Sequence, residues 1–351
     1  MRIRLTSALV APLLVLGATH ASAQSSWQQT REEARQAVLR AVAEAREFYQ
    51  GRRGPEQSDT FSRKVKVARD GRVSISNVSG SIVVSAAGGD EVSIDAVKRG
   101  RGDRRTLDRV RVVVEEHTGR VDVRTEYPTV WSPGNDDVSV DYTIAVPAGV
   151  SLEAHSVSGH VRVTGVKGAL RLGSVSGNIT STDTPRVEHV RTVSGDIELG
   201  GISHDDNVSI SSVSGSIQVT GLKARVVEAS TVSGDFRLRD AACERLTARS
   251  VSGSLEYSGT LARNGRYEVS SHSGNVRFTL ADATGFELNA SSFSGAVRSD
   301  FQMTVGGDRN PEIRSGRGRG PRNESLQATF GDGSASLNLR TFSGNIVIAK
   351  R

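Results

Sequence analysis

The carboxylates of Asp196 and Asp235 are the side chains in this sequence whose placement best suits acid–base chemistry. Each directly follows a Ser-Gly pair, and the two pairs belong to repeats that lie two steps apart. If the repeats stack at the spacing of β-strands, about 4.8 Å, the two aspartates lie roughly 9–10 Å apart. This is near the upper end of the separation between the acid and the base of an inverting glycosidase, roughly 6.5–9.5 Å. The pair defines a glycan-cleaving hypothesis, and a polar position facing a turn is the alternative interpretation.

Other chemical motifs are missing from the sequence. The histidines show no metal-ligand spacing, and His204-Asp205-Asp206 is typical of an exposed polar turn. No nucleophile elbow, phosphate loop or dinucleotide fingerprint occurs. We therefore expect no catalytic residue, no metal and no cofactor, and we expect that the protein is not an enzyme.

Both aspartates belong to a repeat that dominates the chain. A Val, His or Phe residue, then Ser-Gly, then alternating apolar and polar residues occur ten times. From Gly159 to Gly295 successive copies are 18 to 21 residues apart, which indicates a stacked repeat architecture. The ten glycines are Gly80, Gly159, Gly177, Gly195, Gly215, Gly234, Gly253, Gly274, Gly295 and Gly344.

Each repeat predicts two short strands that meet at a corner. Val161-Arg162-Val163 follows a Ser-Gly pair, and Leu170-Arg171-Leu172 follows the next turn. Alternation with period two is typical of strands that bury one face. Glycine permits positive φ at a corner, and serine bonds to nearby backbone groups.

The fold class predicted is all-β, a parallel β-solenoid. Gly80 and Gly344 are 264 residues apart, which corresponds to about 13 coils of about 20 residues. A weak copy at Thr118-Gly119 carries the register through the long interval before Gly159. An antiparallel sandwich is the alternative, because its strands have similar spacing.

The N-terminal segment differs from the repeats. Residues 1–23 have a basic start, a short apolar run and Ala21-Ser22-Ala23, which predicts a signal peptide cleaved after Ala23 and an exported protein, periplasmic, cell-surface or secreted. The apolar run is too short to span a membrane. Residues 24–59 predict an amphipathic helix, Trp27 to Arg53, and a linker; the solenoid occupies residues 60–351. The helix either caps the first coil or docks to a partner or membrane surface.

Two basic segments are candidate interaction sites. The net charge is +6, and much of it lies near 99–105 and 309–322, which we interpret as Gly-rich loops interrupting the repeat. An anionic envelope glycan, lipid headgroups or another protein would suit them, with peripheral membrane contact; export argues against nucleic acid. Solvated loops without a partner are the alternative. The residues are Arg99, Arg101, Arg104, Arg105, Arg314, Arg317, Arg319 and Arg322.

The single cysteine excludes an intramolecular disulfide. Cys243 either fills the core of a coil or remains as a reactive or intermolecular thiol. Aromatic residues make up only 5% of the chain, which fits a narrow core of Val, Ile and Leu.

The chain resembles a bacterial family of exported β-strand-repeat proteins that carry the name putative adhesins, a domain-of-unknown-function family. The resemblance rests on Asn77 to Val84, on Val146-Pro147-Ala148-Gly149 before His155 to Gly159, and on the closing Phe342-Ser343-Gly344-Asn345-Ile346. It implies the fold and an adhesion or scaffold role without an active site. A glycan-active β-helix enzyme and an accessory of an envelope-stress sensing system are the alternatives.

Overall fold

The computed structural model describes residues 56–101, 104–128, 138–281, 284–305 and 324–351. This part of the chain is almost entirely β-structure, with one short helix, α1, at Arg104–Arg109. The strands of the first half are β1 Glu56–Lys66, β2 Arg72–Ser79, β3 Ile82–Ala87, β4 Glu91–Arg101, β5 Arg111–His117, β6 Arg120–Glu126, β7 Val138–Pro147, β8 Ser151–Ser158, β9 Val161–Thr164, β10 Leu170–Ser176, β11 Ile179–Thr182 and β12 Val187–Ser194. The remaining strands are β13 Ile197–Ser203, β14 Asn207–Ser214, β15 Ile217–Ser233, β16 Phe236–Ser252, β17 Leu255–Ser273, β18 Val276–Leu280, β19 Phe286–Ser294, β20 Val297–Ser299, β21 Thr304–Val305, β22 Glu324–Phe330, β23 Ala335–Ser343 and β24 Ile346–Lys350.

The strands form two walls that meet at the Ser-Gly corner. The first wall consists of the segments that lead into the corner, and the second wall of the segments that leave it. Within each wall, neighbouring coils pair in parallel, as in β8 with β10 and β9 with β11. The long strands β15, β16 and β17 run through both walls. The prediction of an all-β, solenoid-like fold is therefore confirmed.

Glycine is required at the corner because neighbouring coils approach too closely for a side chain. The ten corner glycines have φ between 106° and 157°, a region that L-residues rarely adopt. A Cβ atom on Gly215 would lie 2.1 Å from the carbonyl oxygen of Gly195, and the other corners are equally tight. This approach lets the N–H of Gly195 donate to the carbonyl of Ser214 at 3.0 Å, a bond that recurs between successive corners.

The described residues contain ten Ser-Gly coils, fewer than the predicted 13. Within the described residues, the interval between Gly80 and Gly159 adds one pair of strands to the parallel stack and not a series of Ser-Gly coils, since β6 pairs in parallel with β2 and β7 with β3. On their other sides β2 and β3 pair directly with β8 and β9. The weak copy at Gly119 is the turn of the β5–β6 hairpin, and β6 pairs with the outer side of β2. A hairpin turn and a solenoid corner both use glycine at positive φ between alternating strands, so the local sequence does not separate them.

The order of the last coils also differs from the order of the sequence. Strand β23 pairs with β17 on one side and with β19 on the other. The coil at Gly344 therefore lies between the coils at Gly274 and Gly295.

The parallel walls end in antiparallel strands, so the predicted purely parallel pairing is wrong at both ends. At one end β5 pairs with β6, β4 with β7 and β1 with β4, all antiparallel. At the other end β22 pairs antiparallel with β19 and with β21. Antiparallel closure covers strands that a simple parallel stack would leave open.

The core between the walls consists mainly of Val, Ile and Leu, with larger side chains near the middle coils. Tyr257 stacks on Phe278 at 4.9 Å between ring centroids, and the hydroxyl of Tyr267 donates to the carbonyl of Cys243 at 2.6 Å. Cys243 is buried in this cluster, as the core-filling interpretation predicts. Burial raises the pKa of its thiol to about 12.

Residues 1–55, which hold the predicted signal peptide and amphipathic helix, lie outside the described residues. The first strand begins at Glu56, four residues earlier than the predicted boundary of the solenoid. No helix within the described ranges is long and apolar enough to cross a membrane.

We expect Gly215→Ala to destabilise the solenoid by about 2 kcal/mol or more, because the new Cβ would collide with Gly195 O at a strained φ. The free energy of unfolding in urea is the measurement. Gly88→Ala is the matched control, since Gly88 is exposed and no atom lies within 4 Å of the place that its Cβ would occupy. Equal stability of the two variants would contradict the role of the corner.

We also expect Cys243 to resist thiol reagents in the folded protein. With a pKa of about 12, the thiolate is scarce at pH 8, and the side chain is buried. Labelling with a chromogenic disulfide at pH 8 should be slow in buffer and complete in denaturant. Rapid labelling of the folded protein would show that the thiol is accessible.

Candidate functional site

In nine of the ten Ser-Gly coils of the described residues, an apolar side chain points into solvent beside the corner. It occupies the position two residues before the glycine, and these side chains remain 38–51% exposed. Because the coils stack in register, the side chains form one continuous line, which we call the corner row. Its apolar members, in spatial order, are Val78, Val157, Val175, Val193, Val213, Val232, Val251, Phe342 and Phe293. His272 occupies the place between Val251 and Phe342.

The corner row ends in a stack of three rings. His272 lies parallel to Phe342 at 4.9 Å between centroids, and Phe293 lies parallel to Phe342 on its other side at 4.7 Å. The exchanged order of the last two coils produces this arrangement, because it places Phe342 between His272 and Phe293.

A column of small polar side chains lies behind the corner row, at the inward position three residues before each glycine. In several coils the hydroxyl donates to the carbonyl of the corner glycine on the neighbouring coil, as Ser292 Oγ does to Gly344 O at 2.8 Å and Thr341 Oγ1 to Gly274 O at 3.0 Å. The column consists of Asn77, Ser156, Ser174, Thr192, Ser212, Thr231, Ser250, Ser271, Thr341 and Ser292. Sequence reasoning missed this column, although every copy of the repeat carries Ser, Thr or Asn there.

Asp196 and Asp235 both participate in the corner. Asp196 Oδ1 accepts the backbone N–H of Ser216 at 2.8 Å, and Asp235 Oδ1 accepts that of Ser254 at 3.0 Å. The other oxygen of Asp235 accepts from Arg237 at 2.6 Å. Asn178, Asn275 and Asn345 make the same bond to the next coil through their side-chain oxygens. An amide cannot act as a general base, so the position needs an acceptor and not a titratable group.

The predicted loop near residues 99–105 is ordered secondary structure where it is described. Arg99 and Arg101 lie on β4, whereas Arg104 and Arg105 begin α1. The prediction of an interrupting loop is therefore wrong for these residues. The alternation of apolar and polar residues in β4 favours a strand, which pairs with β1 and β7, and this outweighs the tendency of the nearby glycines to form a loop.

The charges of this segment are partly compensated. Arg99 forms an ion pair with Asp141 at 2.7 Å, and Asp141 also accepts the N–H of Ser81 at the first corner. The buried Lys98 contacts Asp59 at 2.7 Å, and this hydrogen bond is the main reason that the pKa of Asp59 is lowered. The segment therefore has structural roles at the end of the solenoid. Four other predicted residues, Arg314, Arg317, Arg319 and Arg322, lie outside the described residues.

The described ranges bring no three His, Cys, Asp or Glu side chains together as a metal site. His204 instead contacts backbone atoms, with its Nε2 3.0 Å from the carbonyl oxygen of Val187 and its Nδ1 accepting the N–H of Asp206 at 3.1 Å.

The chain belongs to the Toastrack DUF4097 family, whose model matches residues 71–348. The predicted family is thereby confirmed. No curated protein sequence matches the chain.

The chain is similar to three solved structures. A putative adhesin from Parabacteroides distasonis has a TM-score of 0.44 at 15% identity, covering 63% of this chain and 90% of its own. A putative lipid binding protein from the same species has a TM-score of 0.41 at 14% identity, covering 63% and 89%. A putative adhesin from Bacteroides fragilis has a TM-score of 0.39 at 10% identity, covering 83% and 97%.

We expect Asp196→Asn to leave stability almost unchanged, because its side-chain oxygen can still accept the N–H of Ser216. Asp196→Ala removes that acceptor and should cost about 0.5–1.5 kcal/mol. Urea unfolding compares the two variants.

A double variant, Asp196→Asn with Asp235→Asn, should also leave any glycan turnover at its original level. Loss of measured hydrolysis in this folded double variant would establish the acid–base hypothesis instead.

Proposed function

We propose that this protein is an exported, non-enzymatic interaction protein of the cell envelope, an adhesin or scaffold, and that it binds its partner along the corner row. The observation that carries the proposal is the line of exposed side chains across ten coils, nine of them apolar and one, His272, a histidine. Scattered exposed apolar residues are ordinary, but a contiguous set is typical of an interaction surface.

The backbone at the corner cannot provide the contact. The glycine N–H groups donate to serine carbonyls of the next coil, as Gly215 does to Ser233 at 3.0 Å. The N–H groups two residues later are also paired, as that of Ile217 is with Asp235 O at 2.8 Å. A partner therefore meets side chains on this surface and does not add a strand to it.

The energetics favour a long partner. Fully burying a valine side chain contributes about 1.5–3 kcal/mol, and these side chains are already about half-buried, so each coil offers about 1 kcal/mol. Association costs roughly 4–15 kcal/mol in lost freedom of motion. Contact with one or two coils is insufficient, whereas an extended molecule lying along many coils exceeds the cost.

The expected partners remain an anionic envelope glycan, lipid headgroups or another protein. Export rests on the signal sequence predicted for residues 1–23. Exposed arginines on the outer faces of the walls, including Arg249 and Arg340, support an anionic partner. The bonds made by Asp196 and Asp235 support a structural role for these residues over the glycan-cleaving alternative.

Replacing four valines of the corner row by threonine should weaken binding to envelope fractions by about tenfold or more. Threonine keeps the β-branched shape but reduces the apolar surface that a partner would bury. Co-sedimentation of the purified protein with membrane and peptidoglycan fractions measures binding. The four substitutions are Val157→Thr, Val175→Thr, Val193→Thr and Val213→Thr.

The matched control changes three serines to threonine at the outward position four residues before the corner glycine, next to the corner row. This control variant should bind like the original protein. Unchanged binding of the four-valine variant, or release of reducing sugar ends by the protein without binding, would overturn the proposal. The control substitutions are Ser76→Thr, Ser211→Thr and Ser230→Thr.

A further inference from the structure

A recess in the first wall lies beside the aromatic end of the corner row. It has a volume of about 300 Å³ and is lined by Arg249, Glu268, Val269, Ser270, Asn338 and Arg340.

The recess exists because a small residue separates two arginines. The parallel register places Arg249 opposite Ser270, and Ser270 opposite Arg340, on three successive coils. The two arginine positions are therefore about 9–10 Å apart across the serine. Within the described ranges, neither arginine has a hydrogen-bonded or ion-paired partner, so both guanidinium groups are available to one anion above Ser270.

Glu268 and Asn338 complete the lining. They face each other in register on the middle and last of these coils, two residues before Ser270 and Arg340. A carboxylate accepts hydrogen bonds, and an amide both accepts and donates them. The recess therefore combines two fixed positive charges with groups suited to hydroxyls.

The three stacked rings form an aromatic wall beside the recess, and the exposed ring edge of that wall carries a partial positive charge. Phe342 lies two residues beyond Arg340 on the same outward face, about 7 Å along the strand. His272 and Phe293 cover both faces of the Phe342 ring, so its 48% exposed surface consists mainly of ring edge. The edge of an aromatic ring is the positive end of its quadrupole, which favours a nearby anion.

We propose that this recess binds an acidic sugar, with its carboxylate between Arg249 and Arg340, its hydroxyls on Glu268 and Asn338, and its anionic side towards the ring edge of Phe342. The inference rests on the proposed function and specifies the chemical class of its partner. A phosphatidylglycerol headgroup fits less well, because it offers no sugar ring with hydroxyls for Glu268 and Asn338. A neutral sugar would leave the two guanidinium groups without a counter-charge.

Titration calorimetry with short oligomers of galacturonate, glucuronate and sialic acid tests the proposal. At least one acidic oligomer should bind, its neutral methyl ester should bind at least tenfold more weakly, and salt should reduce the affinity. Arg249→Ser and Arg340→Ser should each weaken binding by about tenfold or more. Phe342→Val should weaken it severalfold and preserve the fold, because seven other coils carry valine at that position.

Arg191→Ser is the matched control. Arg191 is exposed on the same outward column, three coils from Arg249, and its neighbour in the corner row is Val193. Its loss should change the affinity less than twofold. Equal thermal stability of all variants shows that any loss of binding is local.

Several outcomes would overturn the acidic-sugar site. These are equal binding of the methyl ester, unchanged binding by the arginine variants, or binding of none of the oligomers. Arginine-dependent binding to phosphatidylglycerol vesicles without binding of oligomers would assign the recess to lipid headgroups and also refute it. The proposed function is tested separately by the four-valine variant, so the recess can fail while the corner row stands.

Discussion

The close approach of successive corner glycines is the constraint on which the rest of the structure depends. Apart from Gly295 at the end of the stack, each corner carbonyl oxygen lies where the next glycine would carry a Cβ, and each corner N–H bonds to the neighbouring coil at 2.9–3.1 Å. The column of inward Ser, Thr and Asn side chains lies behind this ladder, and several of its hydroxyls bond to the glycine carbonyls. Register between coils is fixed at this edge, and the apolar interior follows from it.

The same constraint decides what the surface can present. Each coil repeats one outward position before its corner, at a spacing that the strand pairing sets. Residues at the same position of successive coils therefore lie along one line on the surface, and a different residue in one coil makes a local feature on that line. The seven valines make a uniform stripe, whereas His272, Phe342 and Phe293 distinguish one end. A recess forms beside that end because Ser270 is small and its neighbours in the column are Arg249 and Arg340.

The sequence predicts the two-strand coil, its corner and the family, because alternation and glycine report local geometry. It does not predict which coils become neighbours, since every copy of the repeat offers the same edge. The interval after Gly80 and the placement of the Gly344 coil are therefore known only from the structure. The acid–base hypothesis rests on the carboxylates of Asp196 and Asp235. Asn178 makes the same bond in a neighbouring coil, so the position needs only an acceptor oxygen. The sequence does not predict that the side chains of the corner row are exposed, since a valine in a strand usually belongs to the core.

The inserted coil has a consequence for biosynthesis. Strands β23 and β24 lie between partners that the ribosome produces earlier, since β17 and β18 are on one side and β19 and β20 on the other. Growth of a repeat protein from its first coil towards its last is the simplest route by which such a stack assembles during translation. Here that route is interrupted after the Gly274 coil, because the Gly295 coil must wait for a later segment before it has its neighbour. The aromatic end of the molecule is thus completed last, after the valine stripe has formed.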